Sequence, residues 1–422
     1  MDASTTFLGL VVILLVGRTV LNLVLDGLNL GYVARHAGRL PEAYAGVMDD
    51  ATYAKSVDYT KAKLLAGRWE TLYDAAILAL VLFSGLLPWL LLGLTQALGG
   101  SIWGQALVLV AVGFILSLPG LPWEWWNQFR LEERFGFNRS TLRLWLTDKV
   151  KGLAVGLVIG YPLICLLLWF FRRFPETWWW WAFLALAVFQ LLMLVLYPRL
   201  IMPLFNKLTP LPEGELRTRL MALADRTGFQ ASTIQVMDGS RRSSHANAFF
   251  TGFGRFRRIV LFDTLVEQLE TEELEAVLAH EIGHYRRGHV PRMLGLSLVM
   301  SLAGFALMGW LGGQEWFFAA FGFESGTALD ATVILLLFSL LAGLFTFWLG
   351  PLVNLLSRKH EYEADAFARE AVGSPQPLIA SLRKLYQKNL GNLTPHPLYS
   401  FFHYSHPTLL ERETALKEGQ PA

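Results

Sequence analysis

Long apolar runs separated by polar stretches dominate the hydropathy pattern of this sequence. Seven runs reach the roughly 20 residues a helix needs to cross a hydrocarbon core of about 30 Å. They centre on Val16, Leu82, Val112, Gly160, Leu186, Met300 and Leu341. The first, from about Thr6 to Leu25, carries Arg18 and has no small-residue cleavage site after a short apolar core. It reads as a retained span or a signal anchor rather than a cleaved signal peptide. Between the fifth and sixth runs the pattern changes. Glu213 to Arg226 places Leu216, Leu220 and Leu223 on one helical face, while Thr233 to Met237 and Arg258 to Phe262 read as short strands. Asn247 to Phe253 fits a further strand, Thr271 an N-cap of the next helix, and Pro291 a break before the sixth span.

The pattern predicts a mainly α integral membrane protein with a small α+β domain split by two spans. Residues 1–202 hold the first five spans and their loops, and 203–291 the first half of that domain. Residues 292–356 hold the sixth and seventh spans, and 357–422 the second half. Composition agrees, with 54% hydrophobic and 17% charged residues and a mean hydropathy of +0.40. A net charge of +2, spread over several loops, gives no basis for nucleic-acid binding. Cys165 is the only cysteine, so neither an intramolecular disulfide nor a cysteine metal cluster can form.

Loop charge supplies an orientation. The stretch 26–70 contains Arg35, Arg39, Lys55, Lys61, Lys63 and Arg68, and 124–151 and 199–292 are also basic. The loop near Gly99 contains no basic residue, and the loop with Glu315, Glu324 and Asp330 is acidic. Only Arg172-Arg173 breaks the alternation. Positive loops stay on the cytoplasmic side, so the N-terminus is expected outside and the α+β domain in the cytoplasm. The Trp178 to Trp181 run at the start of the fifth span fits an interfacial aromatic belt.

His280-Glu281-Ile282-Gly283-His284 spells His-Glu-x-x-His. On a helix, His280 and His284 share a face and can hold one metal ion, with Glu281 beside the metal water as a base. A catalytic zinc of this kind needs a third ligand and an open fourth position. Glu361, in the helical stretch after the seventh span, is the best candidate, and Asp365 shares its face and could fix the tautomer of a ligand histidine. The sixth and seventh spans form a hairpin that returns Glu361 to the side of the motif, within roughly 15 Å of the bilayer edge at 1.5 Å per helical residue. Spacing alone also allows a solvated charged helix at the membrane boundary. His245, His289 and His396 read as surface or structural histidines.

Further segments extend the pattern. Ser357-Arg358-x-x-Glu361-Tyr362-x-Ala364-Asp365 and His403-Tyr404-Ser405-His406-Pro407, with Leu409-Leu410-Glu411-Arg412 after it, join the His-Glu-x-x-His motif. Together with Phe135-Gly136-Phe137-Asn138 and Ser244 to Phe249 they resemble the type I CAAX prenyl endopeptidases, which are integral-membrane gluzincin metalloproteases. The resemblance implies one Zn2+ per chain on His280, His284 and Glu361, with Glu281 as catalytic base. It also implies seven helices around a large chamber closed at one end by the zinc domain. His406 would donate to the oxyanion, Arg412 would support the site, and Asn247, Ala248 and Phe249 would hold extended substrate by main-chain pairing.

The expected activity is hydrolysis near the C-terminus of a prenylated or otherwise membrane-associated peptide or protein, in contact with membrane lipid. The membrane would be the inner membrane in a bacterium, or the endoplasmic reticulum or nuclear envelope in a eukaryote. Two other readings stand beside it: a broad-specificity quality-control metalloprotease, and a non-catalytic membrane protein with a structural metal. Glu281 argues against the last, because a structural site has no use for that base.

Overall fold

The computed structural model describes residues 2–229, 233–251 and 258–419. Among them, six helices are long and apolar enough to cross a membrane. A seventh crossing requires Asp50–Phe83 and Leu86–Leu98, which meet at 63°, to act as one broken span. The span expected around Leu82 thus falls on a bent pair of helices. Gly85 explains the bend: it adopts φ 77°, and Ser84 turns its hydroxyl back to the Leu80 carbonyl. Most side chains of the spans face outward, as helices surrounded by lipid should. Inside the bundle, buried Gln105 donates to the Ala328 carbonyl at 2.9 Å and accepts from Thr332 at 3.3 Å, tying two spans together. Arg18, Asn22, Asp26, Glu70 and Asp74 line a cavity of about 330 Å³ between the first two spans, so part of the bundle interior is polar.

The α+β part stands on the ends of these helices. Its sheet has the order β1-β2-β4-β3, with β1 Leu208–Pro210, β2 Thr233–Met237, β3 Ala248–Thr251 and β4 Arg258–Phe262. β2 and β4 run parallel, while β1 and β3 pair antiparallel as the two edges. The helix and the β2 and β4 strands read from sequence occur as Glu215–Arg226, Thr233–Met237 and Arg258–Phe262. The strand expected over 247–253 is described as Ala248–Thr251, and Gly252 and Phe253 lie outside the described residues. Leu220, Leu223, Ile234, Leu261, Leu278 and Ile282 form a buried core, which Val33 and Tyr53 from the membrane helices also enter. The soluble part is thereby packed onto the bundle rather than tethered to it.

Two helices position the chemistry. The motif helix, Thr271–Arg286, begins with a capping box between Glu270 and Glu273, so Glu270 and not Thr271 is its N-cap. It ends at Gly288, whose φ of 71° suits glycine and lets the chain turn into the next span, His289–Leu311. The break therefore falls before Pro291, which occupies the first turn of the following helix, where its missing N–H costs nothing. A helical stretch then runs from Asp330 to Val372 over 43 residues. At 1.5 Å per residue it is roughly twice the thickness of the hydrocarbon core, so its far half, Gly350–Val372, projects beyond the membrane. That projecting half lies against the motif helix at Gly283, where a Cβ would stand 3.0 Å from the Ala364 backbone.

Candidate metal centre

The close approach at Gly283 brings Glu361 to the two motif histidines. His280 Nε2 and His284 Nε2 lie 3.2 Å apart, Glu361 Oε1 is 3.2 Å from His284 Nε2, and Glu361 Oε2 is 3.5 Å from His280 Nε2. Four ligands placed tetrahedrally about one ion at roughly 2.0–2.1 Å are about 3.3 Å from one another, so the triangle has the right size for one metal. Glu361 is 4% exposed, and its Oε2 accepts no hydrogen bond. A buried carboxylate oxygen without a donor is costly unless a cation completes it. Arg412 Nη1 stands 3.5 Å away, close enough to contribute Coulomb attraction but too far to donate well.

Each histidine is held from behind. His280 Nδ1 is 2.8 Å from Asp365 Oδ1, and Asp365 in turn receives Arg412 through Nε at 2.8 Å and Nη2 at 2.5 Å. Burial opposes a positive charge on His280, but the Asp365 carboxylate outweighs it and raises the imidazole pKa. His284 Nδ1 is 2.9 Å from His289 Nδ1, and His289 Nε2 is 2.9 Å from Glu363 Oε2. His360 stacks on His289 with ring centroids 4.0 Å apart and planes 13° from parallel.

Glu281 opens onto a cavity of about 810 Å³ together with His284, Phe249, Phe189 and Met193. Burial pushes the Glu281 carboxyl above the ordinary carboxylate range, which strengthens it as a proton acceptor. Phe249 comes from edge strand β3, so that strand borders the same cavity as the motif. Asn247 is exposed and accepts from the Ala248 N–H at 2.8 Å through its side chain, while its carbonyl accepts from Phe262 N–H at 3.1 Å. His406 Nε2 is 3.4 Å from Glu361 Oε1, and its Nδ1 is 2.9 Å from Ser405 Oγ. Arg412 belongs to the last helix, Leu409–Glu418, which Thr408 and Glu411 cap reciprocally and which Glu413 fastens to Arg383.

The fold thus gathers His280, Glu281, His284, Glu361, Asp365, His406 and Arg412 into one place and brings Phe249 to its edge. Asn247 and Ala248 flank that edge. Of the two roles expected for His289, surface or structural, the structure shows the second: it is 3% exposed and joined to a motif histidine. In a continuous helix, residues five apart do not face each other, and the turn at Gly288 supplies the contact. Gly288, two residues beyond Arg286, was the available signal. His245 is also engaged, stacked on Phe137 at 4.2 Å and 3.1 Å from Asn389 Oδ1.

Known proteins resemble the chain along nearly its whole length. Residues 29–207 match the CAAX prenyl protease N-terminal family of five membrane helices, and residues 210–420 match peptidase family M48. The chain is 40% identical to CAAX prenyl protease 1 of Saccharomyces cerevisiae over 90% of its own length and 88% of the relative's. It is 34% identical to the Homo sapiens CAAX prenyl protease 1 homolog with the same coverage. Its fold is similar to the crystal structure of S. mikatae Ste24p with a TM-score of 0.90 and 34% identity, covering 96% of this chain and 98% of that one.

Proposed function

The chain belongs to peptidase family M48 and is a membrane metalloendopeptidase, and from that premise we propose that His280, His284 and Glu361 hold one zinc ion. Two imidazole nitrogens and a carboxylate are a zinc donor set, and the spacings of 3.2–3.5 Å among them carry the reading. We take residues 203–291 and 357–422 as two halves of one protease domain, because the third ligand lies in the second and the motif in the first. The basic loops put that domain on the cytoplasmic side and the N-terminus outside.

Zinc, when bound, supplies Lewis acidity to a water and to the scissile carbonyl. Glu281 accepts the proton of the attacking water and passes it to the leaving amine. With the Ser405 hydroxyl, 2.9 Å from His406 Nδ1, as the donor of that pair, the ring hydrogen would sit on Nε2, where it can be donated to the carbonyl oxygen as negative charge develops. Arg412 pairs with Asp365, keeps it aimed at His280 and adds a weaker attraction to Glu361. Among the described residues strand β3 is an edge of the sheet, and its Phe249 borders the cavity of Glu281, so an extended peptide paired along Asn247, Ala248 and Phe249 would present one bond for attack. The polar cavity among the first spans is consistent with a water-filled chamber behind the site.

The substrate we propose is the C-terminal region of a prenylated or otherwise membrane-associated protein. The names of the relatives and the apolar walls of the cavity beside Glu281 support this choice. A quenched prenylated CAAX peptide in detergent tests it. Cleavage should stop with a chelator, return with zinc, and fall by roughly 10²–10⁴ in Glu281→Gln while the bound metal stays. Turnover that survives either treatment would sink the mechanism.

A further inference from the structure

We infer that His289 and Glu363 form a relay that fixes the tautomer of His284, making His289 a positioning residue for the metal site. The inference rests on the ligand set proposed above. Glu363 reaches His289, and His289 reaches His284, each at hydrogen-bonding distance, so the three side chains form one chain that ends at a carboxylate. An ionised carboxylate can only accept, so the hydrogen between Glu363 Oε2 and His289 Nε2, 2.9 Å apart, belongs to the histidine. Neutral His289 then presents a lone pair at Nδ1. His284 Nδ1, 2.9 Å from it, must donate, and the lone pair of His284 is left on Nε2, the atom in the metal triangle.

The relay matters because a competitor is present. Glu361 Oε1 lies 3.2 Å from His284 Nε2 and would accept a hydrogen there in the metal-free protein. That tautomer would occupy both ligand atoms with one hydrogen and oppose metal entry. Glu363, acting through His289, draws the hydrogen to the other nitrogen. The geometry is held for this purpose: His289 is buried, His360 stacks on one face of its ring, and the turn at Gly288 aims the ring back at His284. His280 needs no such intermediary, because Asp365 touches it directly.

The test is zinc affinity of the full-length protein in detergent, measured by chelator competition on His289→Leu, His289→Asn and Glu363→Gln. Leucine removes the acceptor, whereas asparagine restores an oxygen close to the position of Nδ1. Glutamine keeps the shape of Glu363 but allows the order of donors to reverse. His289→Leu should bind zinc about 10–100-fold more weakly. His289→Asn should recover most of the loss, and Glu363→Gln should fall between them, with the thermal midpoints of the metal-free forms close to wild type. Unchanged affinity in His289→Leu, or equal losses in the leucine and asparagine variants, would overturn the relay. Should leucine at 289 prevent folding, unchanged affinity in Glu363→Gln overturns it alone. A wild-type protein that takes up no zinc would instead refute the ligand set on which the relay depends.

Discussion

His280 and His284 leave one helix a single turn apart, yet they are anchored in different ways. The His280 side chain is 10% exposed and is backed by an Asp365 side chain exposed at 2% and by a buried arginine. The His284 side chain is 19% exposed, faces the cavity, and reaches a Glu363 side chain exposed at 26% through a second histidine. One proposed ligand is therefore part of the interior, and its support is also structural. The other stands at the rim, where its support can be changed without leaving a charge stranded. On the proposed ligand set, such a site would separate holding the domain together from tuning the metal.

Substitutions at the two supporting carboxylates test that separation most severely. Asp365→Ala should cost on the order of 3–5 kcal/mol, because it strands Arg412 as a buried charge with its bidentate partner gone. Glu363→Ala should cost less than about 1 kcal/mol in the metal-free protein, as expected for a partly exposed charge. Denaturant unfolding of both variants in detergent measures the difference, and equal costs would erase the distinction.

Gly283→Ala is expected to act on both ligands alike. Its added methyl meets the Ala364 backbone at 3.0 Å and must push the two helices apart, at a cost of about 1–3 kcal/mol. Zinc content per chain should fall in step, since Glu361 retreats from both histidines together. Full occupancy would mean the helices can slide without separating.

The smallest expected effect lies at the outer anchor of the arginine. Burial works against an ionised Glu413, but hydrogen bonds from Arg383 and Lys417 outweigh it and hold its pKa below the usual 4.5. A depressed carboxylate pKa contributes stability that is complete above the unfolded value and lost as pH falls through the folded one. Wild type should therefore lose more thermal stability as pH falls from about 5 to about 3 than Glu413→Gln does, with scans across that range as the measurement. Parallel pH dependence in the two would show that this pair does not secure the helix carrying Arg412.

Much of this site could be read from sequence where spacing along one helix defines it. His280 and His284 are four residues apart, as are Glu361 and Asp365, and each pair shares a face by helical geometry alone. The capping residue was misread by one position, because Glu270 competes with Thr271 and the reciprocal bond with Glu273 decides between them. The bend at Ser84-Gly85 was hidden because apolar residues continue on both sides of it. The contact of His289 with His284 is illegible for a related reason, since the two are five residues apart across a turn and helical periodicity does not connect them.

By itself, the sequence determined six of the seven expected membrane spans, the charge alternation of the loops and the candidate donor residues, all of which follow from local composition or helical repeat. Tertiary structure decided which donors meet. A glycine with no Cβ lets two helices separated by a transmembrane hairpin touch, and the Gly288 turn folds His289 back onto His284. Those contacts depend on close packing between segments up to 85 residues apart, as His280 and Asp365 are, and no pattern along the chain encodes a distance in space.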